Sequence, residues 1–498
     1  MNTLSRLYRP SLAMATDLYQ LTMAYGYWRS GRAEEEAIFN LFFRTAPFAS
    51  GYTIAAGLQT ALDYIENFAF SDEDCAYLGK LTGSDEEPLF DQGFLDYLRS
   101  LRLTVDIDAI AEGTVVFPGQ PLLRVSGSLL QCQLLETTLL NIINFQTLVA
   151  TKAARMCQAS AGAPIIEFGL RRAQGIDGGL SASRAAYIGG VSATSNVLAG
   201  QLLGIPVKGT HAHSWVMSFD DEPSAFAAYA AAMPNNAVFL VDTYDTLKGV
   251  EHAIEAGRQL RKSGHALLGI RLDSGDLAWL SKQARVMLDE AGFQDAIIIV
   301  SNDLDEHLIE SLQAQEAPIN VWGVGTRLAT AYEQPALGGV YKLTAIRRSA
   351  QEPWRPTIKV SEQAIKTTVP GKLGVRRYRR NGVALADMIY DELTTIDEQP
   401  VIVDPLDPLR RRRLPDGARY DELLSAVVRN GRPEAQQPLL SDIRDRTSKQ
   451  LSLFDGAIKR FVNPHQYPVG LEGNLYRQRA EMILAARGLD GDAQDPIL

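Results

Sequence analysis

One pattern recurs six times between residues 164 and 326: a short apolar run, a polar or glycine-rich tip, and a stretch that can form a helix. The runs are Ile165–Phe168, Ile205–Lys208, Val238–Val241, Leu267–Ile270, Ile297–Val300 and Ile319–Val324. Such continuous runs of Val, Ile and Leu are typical of parallel strands that are buried on both faces. Asp276 is predicted to cap one of the intervening helices, which Gly292 follows. Strands that alternate with helices predict an α/β layered or barrel architecture.

Strand-like pieces also lie on both sides of this repeat. Thr104–Ser126 is predicted to form two short strands, and Gln131–Gln158 has the spacing of a long amphipathic helix. After the repeat, Val340–Ile346 and Thr357–Val360 are again strand-like. The two flanks are therefore expected to build one mixed α/β domain together.

These observations give predicted domain limits. Residues 1–135, joined by part of 345–400, form the flanking domain, and 136–344 form the catalytic α/β domain. Residues 345–498 complete the flanking domain and end in a helical tail. Within that tail, Arg410–Arg413 is predicted to be a solvated loop, with nucleotide-phosphate binding as the less favoured interpretation.

Length and charge exclude several classes of protein. A chain of 498 residues is long enough for two or three packed units. Its net charge of −10, without a concentrated basic stripe, argues against a nucleic-acid partner. Its apolar runs are shorter than the roughly 20 residues of a membrane helix, and Met1–Leu12 lacks the apolar core of a secretory signal.

The cysteines indicate a reducing compartment. Cys75, Cys132 and Cys157 form neither an even disulfide framework nor a metal-ligand spacing. A cytoplasmic protein is expected. Cys157 lies in an apolar helical stretch and is predicted to be a core residue rather than a nucleophile.

Ligands of parallel α/β folds bind at the carboxyl ends of the strands, so the tips are the candidate site. All six tips carry polar side chains or glycines. The tips are Gly169–Arg172, Gly209–Ser214, Asp242–Thr246, Arg271–Asp276, Ser301–Asp303 and Gly323–Arg327. A purely structural sheet would not need polar groups at every tip. An active site is therefore predicted there.

Several tips favour binding of an anionic ligand. Gly323–Thr326 can be a simple turn, but its place between a strand and a helix favours a phosphate cradle. Arg171 and Arg172 can be a surface pair, but a guanidinium at a strand end is better suited to a carboxylate or phosphate. Asp276 is expected to be a helix cap, whereas Asp273 can reach a hydroxyl or a metal ion.

Two of the six histidines lie in one tip. A zinc site is disfavoured because cysteine ligands are scarce. For His211 a structural, hydrogen-bonded role is expected. For His213 an acid/base or nucleophilic role is favoured, since Thr210 and Ser214 offer polar partners. Anion binders, carboxylates and one reactive histidine together fit a phosphorylated, hydroxyl-rich substrate and Mg²⁺.

The same residues resemble the nicotinate phosphoribosyltransferase family over most of the chain. The matching elements are Thr16–Met23, Phe43–Phe48, Glu167–Arg172, Gly209–Ser214, Asp242–Tyr244, Arg271–Asp276, Ser301–Asp303, Gly323–Thr326 and Pro335–Leu343. The resemblance implies an irregular TIM-like (half) α/β barrel and a flanking α/β domain. It also implies a head-to-tail homodimer with sites at the interface.

The reaction implied by the resemblance belongs to NAD salvage. Nicotinate and 5-phosphoribosyl pyrophosphate would give nicotinate mononucleotide and pyrophosphate, with Mg²⁺ present. ATP, a co-substrate, would be hydrolysed through a phosphohistidine, and His213 occupies the position of that residue.

The resemblance also implies contacts to the base. Tyr19, from the partner subunit, resembles the aromatic residue that stacks on the pyridine ring. Thr210 resembles a nicotinate contact, and Arg271 resembles the arginine on the base and ribose side. Arg171 resembles an anion binder for the substrate, and Arg44 a phosphate contact from the other subunit.

Further implied roles concern the phosphoribosyl part. Asp242 and Asp273 resemble carboxylates that hold the ribose and the metal-bound pyrophosphate region, so both are possible, indirect metal partners. Asp303 is a further substrate-binding candidate. Gly325 and Thr326 resemble the 5′-phosphate cradle.

Three alternatives remain open at this point. Nicotinamide phosphoribosyltransferases share the fold but have an acidic residue at the position of Asn196, and a neutral Asn favours nicotinate because it does not repel the carboxylate. A non-catalytic ligand sensor on the same fold would not need all four of His213, Asp242, Asp273 and Asp303. A phosphate-binding isomerase or aldolase would need a Lys or Glu base at a strand end.

Overall fold

The computed structural model describes residues 11–415, 417–434 and 438–489. The chain divides into two compact units. The terminal unit consists of Met1–Thr147, Ala336–Leu439 and Lys449–Leu498, and the central unit of Leu148–Pro335 and Leu440–Ser448. The repeated strand–helix pattern lies in the central unit, whose limits differ by about ten residues from the predicted 136 and 344.

The N-terminal segment begins with helices and then builds strands. Its elements are α1 (Leu18–Arg29), β1 (Glu36–Phe43), β2 (Thr53–Ile54), α2 (Leu58–Glu66), α3 (Asp72–Leu78), α4 (Gln92–Ser100), β3 (Asp106–Ile110), β4 (Val115–Val116), β5 (Leu123–Ser128), α5 (Leu129–Leu134) and α6 (Glu136–Ala159). The region 104–126 thus contains the start of three strands rather than two. Gly113 and Gly119, both with positive φ, make the turns between them.

The central segment alternates strands and helices. Its elements are β6 (Ile165–Glu167), α7 (Ile176–Ile188), β7 (Ala193–Thr194), α8 (Val197–Leu203), α9 (His213–Met217), α10 (Glu222–Ala232), β8 (Val238–Leu240), α11 (Thr246–Lys262), β9 (Gly269–Leu272), α12 (Leu277–Glu290), β10 (Ile297–Val300), α13 (Glu306–Ala314), β11 (Val321–Val324) and α14 (Thr326–Ala329). All six strands are parallel, in the order β7-β6-β11-β10-β9-β8. The fold is therefore mixed α/β, as predicted, with an open parallel sheet.

The C-terminal segment returns to strands. Its elements are β12 (Gly339–Arg347), β13 (Arg355–Pro356), β14 (Leu373–Arg380), β15 (Val383–Asp391), β16 (Val401–Val403), β17 (Arg411–Arg413), β18 (Arg419–Glu422), β19 (Leu424–Arg429), β20 (Arg432–Pro433), α15 (Leu440–Ser452), β21 (Val469–Glu472) and α16 (Gly473–Ala486). One antiparallel sheet, β13-β12-β1-β5-β3-β19-β20, takes strands from both ends of the chain. A second sheet, of the order β17-β16-β21-β15-β14-β18, is mixed, because β15 and β21 are parallel.

The two ends of the chain are also joined by a buried polar cluster in the terminal unit. Arg377 pairs with Asp387 at 2.6 Å, and both side chains are buried. The Tyr467 hydroxyl and the Gln120 amide donate hydrogen bonds to the same carboxylate at 2.9 and 2.6 Å. Such a cluster is stable only when its polar atoms are satisfied together, so it fixes how the segments pack.

The predicted strand Ile205–Lys208 is wrong. Only Val207 forms a single parallel bridge, to Thr194 at the end of β7. Pro206 has no N–H to donate, and its carbonyl accepts from Thr194 at 3.0 Å. The edge position of the sheet is instead taken by β7, a two-residue strand that is too short to be recognised from apolar periodicity.

Two predictions for the C-terminal segment also need correction. Arg411–Arg413 is not a loop: it forms β17 and pairs antiparallel with β16, with its side chains exposed. Charged side chains are compatible with such an edge strand because they face water and discourage pairing with another chain. Thr357–Val360 is not a strand, and the short β13 precedes it.

The predicted helix cap is confirmed. Asp276 Oδ1 accepts a hydrogen bond from the Trp279 N–H at 3.0 Å at the start of α12, and Gly292 follows the helix with φ of 81°. Strand β9 begins two residues later than its predicted start at Leu267, so Arg271 lies within the strand rather than beyond it. In the part of the chain that the structure describes, no helix is long and apolar enough to cross a membrane.

Candidate active site

The carboxyl ends of the central strands surround a cavity of about 400 Å³. Its walls come from the tips after β6, β7, β9, β10 and β11 and from the segment before α9, and the lining residues are Phe168, Leu170, Arg171, Arg172, Ser195, Gly209, Thr210, His211, Ala212, Arg271, Asp273, Ser301, Asn302, Asp303, Gly323, Gly325 and Thr326. Five of the six predicted tips therefore contribute to one cavity. The remaining tip, after β8, does not line the cavity, but its Asp242 and Thr243 contact Asp273 and His213 beside it.

The predicted site residues fall into three groups. Those that line the cavity are Arg171, Thr210, Arg271, Asp273, Asp303, Gly325 and Thr326. His213 and Asp242 lie beside these residues, whereas Asn196 is buried behind them. Tyr19 and Arg44 belong to the terminal unit.

His213 is the first residue of α9, and its ring nitrogens face different groups. Nδ1 lies 3.1 Å from the Thr243 hydroxyl oxygen. Nε2 lies 3.9 Å from Asp242 Oδ1 and 3.8 Å from Asp273 Oδ2. These two distances are too long for hydrogen bonds, and they place Nε2 beside two carboxylate oxygens. The side chain is 38% exposed, so Nε2 is accessible to a ligand.

The two carboxylates near His213 are fixed by the tips that carry them. Asp242 Oδ2 accepts hydrogen bonds from the Asp273 N–H at 3.0 Å and from the Ser274 hydroxyl at 2.6 Å. The Ser301 hydroxyl donates to Asp273 Oδ1. Asp242 Oδ1 is buried and has no hydrogen-bond partner. A buried oxygen of this kind is costly unless a donor or cation satisfies it, so it marks a binding position beside Nε2.

His211, two residues earlier, is a structural histidine, as predicted. Its Nε2 accepts a hydrogen bond from the Leu240 N–H at 3.2 Å, and its ring lies 4.8 Å from that of Tyr229. Burial lowers the pKa of His211 to about 4, since the charged form would lose hydration. The ring is therefore neutral at pH 7 and accepts a backbone hydrogen bond of the central sheet.

Arg271 and Thr210 form the wall of the cavity next to the histidines. Arg271 Nη1 donates a hydrogen bond to the Thr210 hydroxyl, and Arg271 Nε is buried without a partner. Burial lowers the pKa of Arg271, but a guanidinium stays charged at neutral pH. An anion in the cavity would satisfy both the charge and the free N–H.

Close packing around Phe168 accounts for the glycines of the β11 tip. A Cβ atom on Gly323 would lie 2.7 Å from the Phe168 ring, and one on Gly325 would lie 3.3 Å from the Phe168 carbonyl oxygen. The one-turn helix α14 starts at Thr326, so its first N–H groups have no partner within the helix. At the neighbouring tip Asn302 has φ of 104°, a conformation that is rare outside glycine.

Asn196, whose neutral side chain is expected to favour nicotinate, does not line the cavity. Its side chain caps α8 by accepting from the Ala199 N–H at 3.2 Å, and it donates to the Ser183 hydroxyl at 3.2 Å. Ser183 in turn donates to Glu167 at 2.8 Å. An amide at position 196 therefore supports a buried network rather than a contact with the ligand.

Sequence reasoning did not identify Glu167 as a central residue of the site. Its buried carboxylate accepts hydrogen bonds from Ser183 and Thr194 at 2.8 and 2.6 Å, and from the Gly169 N–H. It thereby joins α7 and β7 to the tip that carries Arg171. A glutamate at the end of an apolar run was the available signal, because an ionised carboxylate is rarely buried without partners.

Phe168, Ser195 and Thr243 were also missed. Phe168 and Ser195 line the cavity, and Thr243 is the partner of His213 Nδ1. Phe168 had been assigned to the strand itself, yet β6 ends at Glu167. The aromatic ring is therefore presented at the strand end.

The resemblance implies Mg²⁺, and the side chains of the site can be compared with the ligands that this ion prefers. Among the described residues no group of three or more His, Cys, Asp or Glu side chains is arranged to hold a metal ion. Asp242 and Asp273 nevertheless provide two carboxylates beside one another, one with an unsatisfied buried oxygen. Mg²⁺ is commonly bound by one or two carboxylates together with substrate phosphates and water, and this pair fits that chemistry.

Comparison with known proteins identifies the family. The sequence profile of the nicotinate phosphoribosyltransferase N-terminal domain matches residues 14–144, the family profile matches 164–382 and the C-terminal domain profile matches 372–479. The nicotinate phosphoribosyltransferase of Bacillus subtilis is 45% identical over 478 residues, which are 95% of each chain. The chain belongs to the nicotinate phosphoribosyltransferase family. The resemblance inferred from the motifs is thereby confirmed.

Other members of the nicotinate phosphoribosyltransferase family match over similar lengths. The Caenorhabditis elegans protein is 39% identical over 96% of this chain and 94% of its own, and the human protein is 36% identical over 93% and 95%. The crystal structure of human nicotinic acid phosphoribosyltransferase superposes with a TM-score of 0.82 over 94% of this chain and 99% of the human one. A nicotinate-nucleotide pyrophosphorylase from Pyrococcus furiosus, 19% identical, shares the fold with a TM-score of 0.66 over 91% of this chain and 97% of its own.

Proposed function

We propose that this chain joins nicotinate to 5-phosphoribosyl pyrophosphate, giving nicotinate mononucleotide and pyrophosphate in NAD salvage. One observation carries the proposal: a single cavity combines arginines, carboxylates and a glycine-rich tip, in a chain whose relatives are named nicotinate phosphoribosyltransferase. Cations suit the carboxylate of the base and the phosphates, and carboxylates suit ribose hydroxyls and Mg²⁺.

Nicotinate would be recognised through its carboxylate. Arg171 and Arg172 line the cavity on the β6 side and Arg271 lines it on the β9 side, where it donates a hydrogen bond to Thr210. A guanidinium can bind a carboxylate through two parallel hydrogen bonds. Phe168 presents a ring on which a pyridine can stack.

The transfer itself needs no general base. The lone pair of the pyridine nitrogen forms the new bond to C1 of the ribose, and the bond from C1 to pyrophosphate breaks with its electrons remaining on pyrophosphate. The protein must therefore align the two substrates and neutralise the charge of the leaving group. Asp303, Gly325 and Thr326 would hold the ribose phosphate end, with Asp242 and Asp273 on the pyrophosphate side.

Mg²⁺ would supply charge neutralisation for pyrophosphate, held by Asp242 and Asp273 directly or through water. Without a cation these carboxylates would repel a phosphate group near His213. Their spacing around His213 Nε2 thus fits a site that works with the metal and a phosphate together.

ATP use belongs to the same proposal, with His213 as the phosphate acceptor. Thr243 occupies Nδ1, which leaves Nε2 as the accessible nitrogen. A lone pair on Nε2 would attack the γ-phosphorus of ATP, with ADP leaving. Water would later cleave the nitrogen–phosphorus bond, releasing inorganic phosphate. A phosphohistidine would place negative charge beside the Mg²⁺ and the arginines and could order the site around the substrate.

We also propose a homodimer in which Tyr19 and Arg44 act in the site of the partner subunit. Leu18, Tyr19 and Met23 are exposed apolar residues of α1, as expected for a surface that another chain covers. A cytoplasmic location fits three unpaired cysteines. We propose in addition that the central unit forms an irregular half barrel.

The proposed function is tested by supplying the purified chain with 5-phosphoribosyl pyrophosphate and Mg²⁺, and with either nicotinate or nicotinamide. Each reaction is run with and without ATP, and the mononucleotide is quantified by chromatography. We expect nicotinate mononucleotide, in greater amount with ATP, and little product from nicotinamide. Product from neither base would refute the proposal, and preference for nicotinamide would reverse the choice of substrate.

A further inference from the structure

A network of ion pairs with a buried centre lies in the central unit beside the phosphate-side tips. Lys152 Nζ lies 2.6 Å from Glu306 and 2.5 Å from Glu333, and Arg155 lies 2.6 Å from Glu306. The side chains of Lys152, Arg155 and Glu306 are each 1% exposed. Arg327 extends the network, at 3.4 Å from Glu333 and 3.5 Å from Asp305.

The network joins three segments that are distant in sequence. Lys152 and Arg155 lie on α6, Glu306 begins α13, and Arg327 and Glu333 flank the end of α14. Two of these segments form the cavity wall immediately next to the network. Asp303 precedes Asp305 by two residues, and Thr326 directly precedes Arg327.

Arg327 adjoins the predicted phosphate cradle but does not line the cavity. Its guanidinium lies 4.3 Å from the centre of the Tyr332 ring and is close to Glu333 and Asp305. These contacts hold the cation behind the tip. Its charge is therefore used to fix the backbone that carries Thr326, rather than to bind the ligand.

Stability alone gives little reason to bury so many charges. Replacing a buried ion pair with well-packed apolar residues is often neutral or stabilising, because removing charges from water is costly. What a network of this kind provides is a unique arrangement, since each charge accepts only a few geometries. Here the arrangement concerns two tips that must match one phosphorylated ligand.

We propose that Lys152 and Glu333 are positioning residues for the 5′-phosphate side of the cavity, acting through Arg327 and the tip that carries Thr326. The inference rests on the proposed function, because it names 5-phosphoribosyl pyrophosphate as the ligand of that tip. Glu306 anchors Lys152 and links the β10 tip to the same network. Loss of the Glu333 carboxylate would remove the ion pair that links Arg327 to Lys152, leave Arg327 with Asp305 and the Tyr332 ring only, and loosen the tip.

The test compares Glu333→Gln with Glu310→Gln, a matched exposed glutamate on α13. Binding of 5-phosphoribosyl pyrophosphate in the presence of Mg²⁺ and absence of base is measured by calorimetry, and KM is measured for each substrate. We expect the Kd and KM for 5-phosphoribosyl pyrophosphate to rise about five- to tenfold in Glu333→Gln, because a small misplacement of a binding group is costly. The KM for nicotinate should change less than twofold, and Glu310→Gln should match the wild type.

Lys152→Met and the double variant Lys152→Met/Glu333→Gln complete a cycle. Positioning through one network predicts that the two changes in Kd are not additive, and that the double variant binds about as weakly as the worse single variant. Equal KM changes for both substrates, or an unchanged Kd with only a lower melting temperature, would overturn the inference. If Lys152→Met does not fold, Glu333→Gln alone decides, since its side chain is partly exposed.

The binding measurement separates this inference from the proposed function. A wild type that binds 5-phosphoribosyl pyrophosphate but transfers nothing to nicotinate contradicts the function, while the loss of binding in Glu333→Gln still supports the positioning role. A wild type that transfers to nicotinate and a Glu333→Gln variant with unaltered binding contradict only the inference.

Discussion

The surroundings of His211 and His213 differ sharply, although only Ala212 separates them in sequence. His211 is buried among aromatic rings and accepts a backbone hydrogen bond, and burial lowers its pKa to about 4. His213 has an accessible Nε2 between two carboxylates. The same side chain thus serves the fold in one place and can serve chemistry in the other. The neighbouring groups, rather than the residue type, decide which of these two roles a histidine has.

The comparison extends to the residues around each histidine. A buried polar set, Glu167, Asn196 and His211, lies beneath the tips and has its hydrogen bonds satisfied within the protein. The set around His213 includes Asp242, with a buried oxygen that has no partner. Variants of the buried set should act on stability and on the placement of the tips, whereas variants of the second set should act on turnover.

The largest effect is expected from Asp242→Asn. The amide would remove a negative charge beside His213 and would offer an N–H where Asp273 and Ser274 now donate. We expect kcat/KM with ATP to fall about 100-fold or more, in line with losses of preorganised charge at active sites. Steady-state assays at saturating Mg²⁺ measure this, with the exposed Asp295→Asn as the control. A fall in kcat/KM of less than threefold would contradict the assignment of Asp242 to the set of residues that acts on turnover.

A smaller effect is expected from Thr243→Val, which removes the partner of His213 Nδ1 while preserving side-chain shape. The stimulation of product formation by ATP should fall about tenfold, since a hydrogen bond to a group that becomes charged contributes about 1.5–3 kcal/mol. Transfer without ATP should change little. Thr243→Ser keeps the hydroxyl and should behave as the wild type; equal losses in both variants would contradict the role of the hydroxyl.

Asn196→Asp tests the buried set. The aspartate cannot donate to Ser183 and adds a second carboxylate near Glu167, so nicotinate use should be depressed through displacement of the Arg171 tip. We expect the KM for nicotinate to rise about three- to fivefold. The free energy of unfolding should fall by about 1–3 kcal/mol, because a buried donor is lost. Urea unfolding and kinetics of the same preparation check both, beside the exposed Asn236→Asp. Unchanged nicotinate kinetics would contradict this coupling.

The smallest effect on turnover is expected from His211→Gln, in which the amide oxygen can still accept from Leu240. Between pH 6.5 and 4 the folded wild type binds fewer protons at this position than the unfolded chain does, because burial lowers the pKa of His211 to about 4. The contribution of His211 to the free energy of unfolding is therefore complete above pH 6.5 and is lost as the pH falls.

The destabilisation caused by His211→Gln should accordingly shrink by about 1–2 kcal/mol between pH 7 and pH 5. Denaturant unfolding of both proteins at the two pH values measures this difference. A destabilisation that is the same at both pH values would show that His211 titrates normally in the folded protein.

The sequence predicted the positions of the tips because the signals are local. Apolar runs marked β6 and β8 to β11 to within a few residues, and the residues after these runs include Arg171, Asp273 and Thr326, which line the cavity. Parallel strands must end at the same edge of a sheet, so this much follows from periodicity and topology.

The rest depends on contacts between segments that are far apart in the chain. Glu167 meets partners that lie 16 and 27 residues away, and β7 is too short to be recognised before its neighbours are placed. Asn196 is expected from the resemblance to favour nicotinate, yet its side chain caps α8 and does not line the cavity. Whether a polar side chain faces the ligand or the interior is decided by packing, which the order of residues does not reveal.

One measurement tests the contrast between the two histidines most directly. The wild type, His213→Ala and His211→Gln are incubated with γ-labelled ATP and Mg²⁺, and acid-labile protein-bound phosphate is located by mass spectrometry. The account predicts label on His213 in the wild type and in His211→Gln, and none in His213→Ala. Label retained in His213→Ala, or transferred to His211, would contradict it.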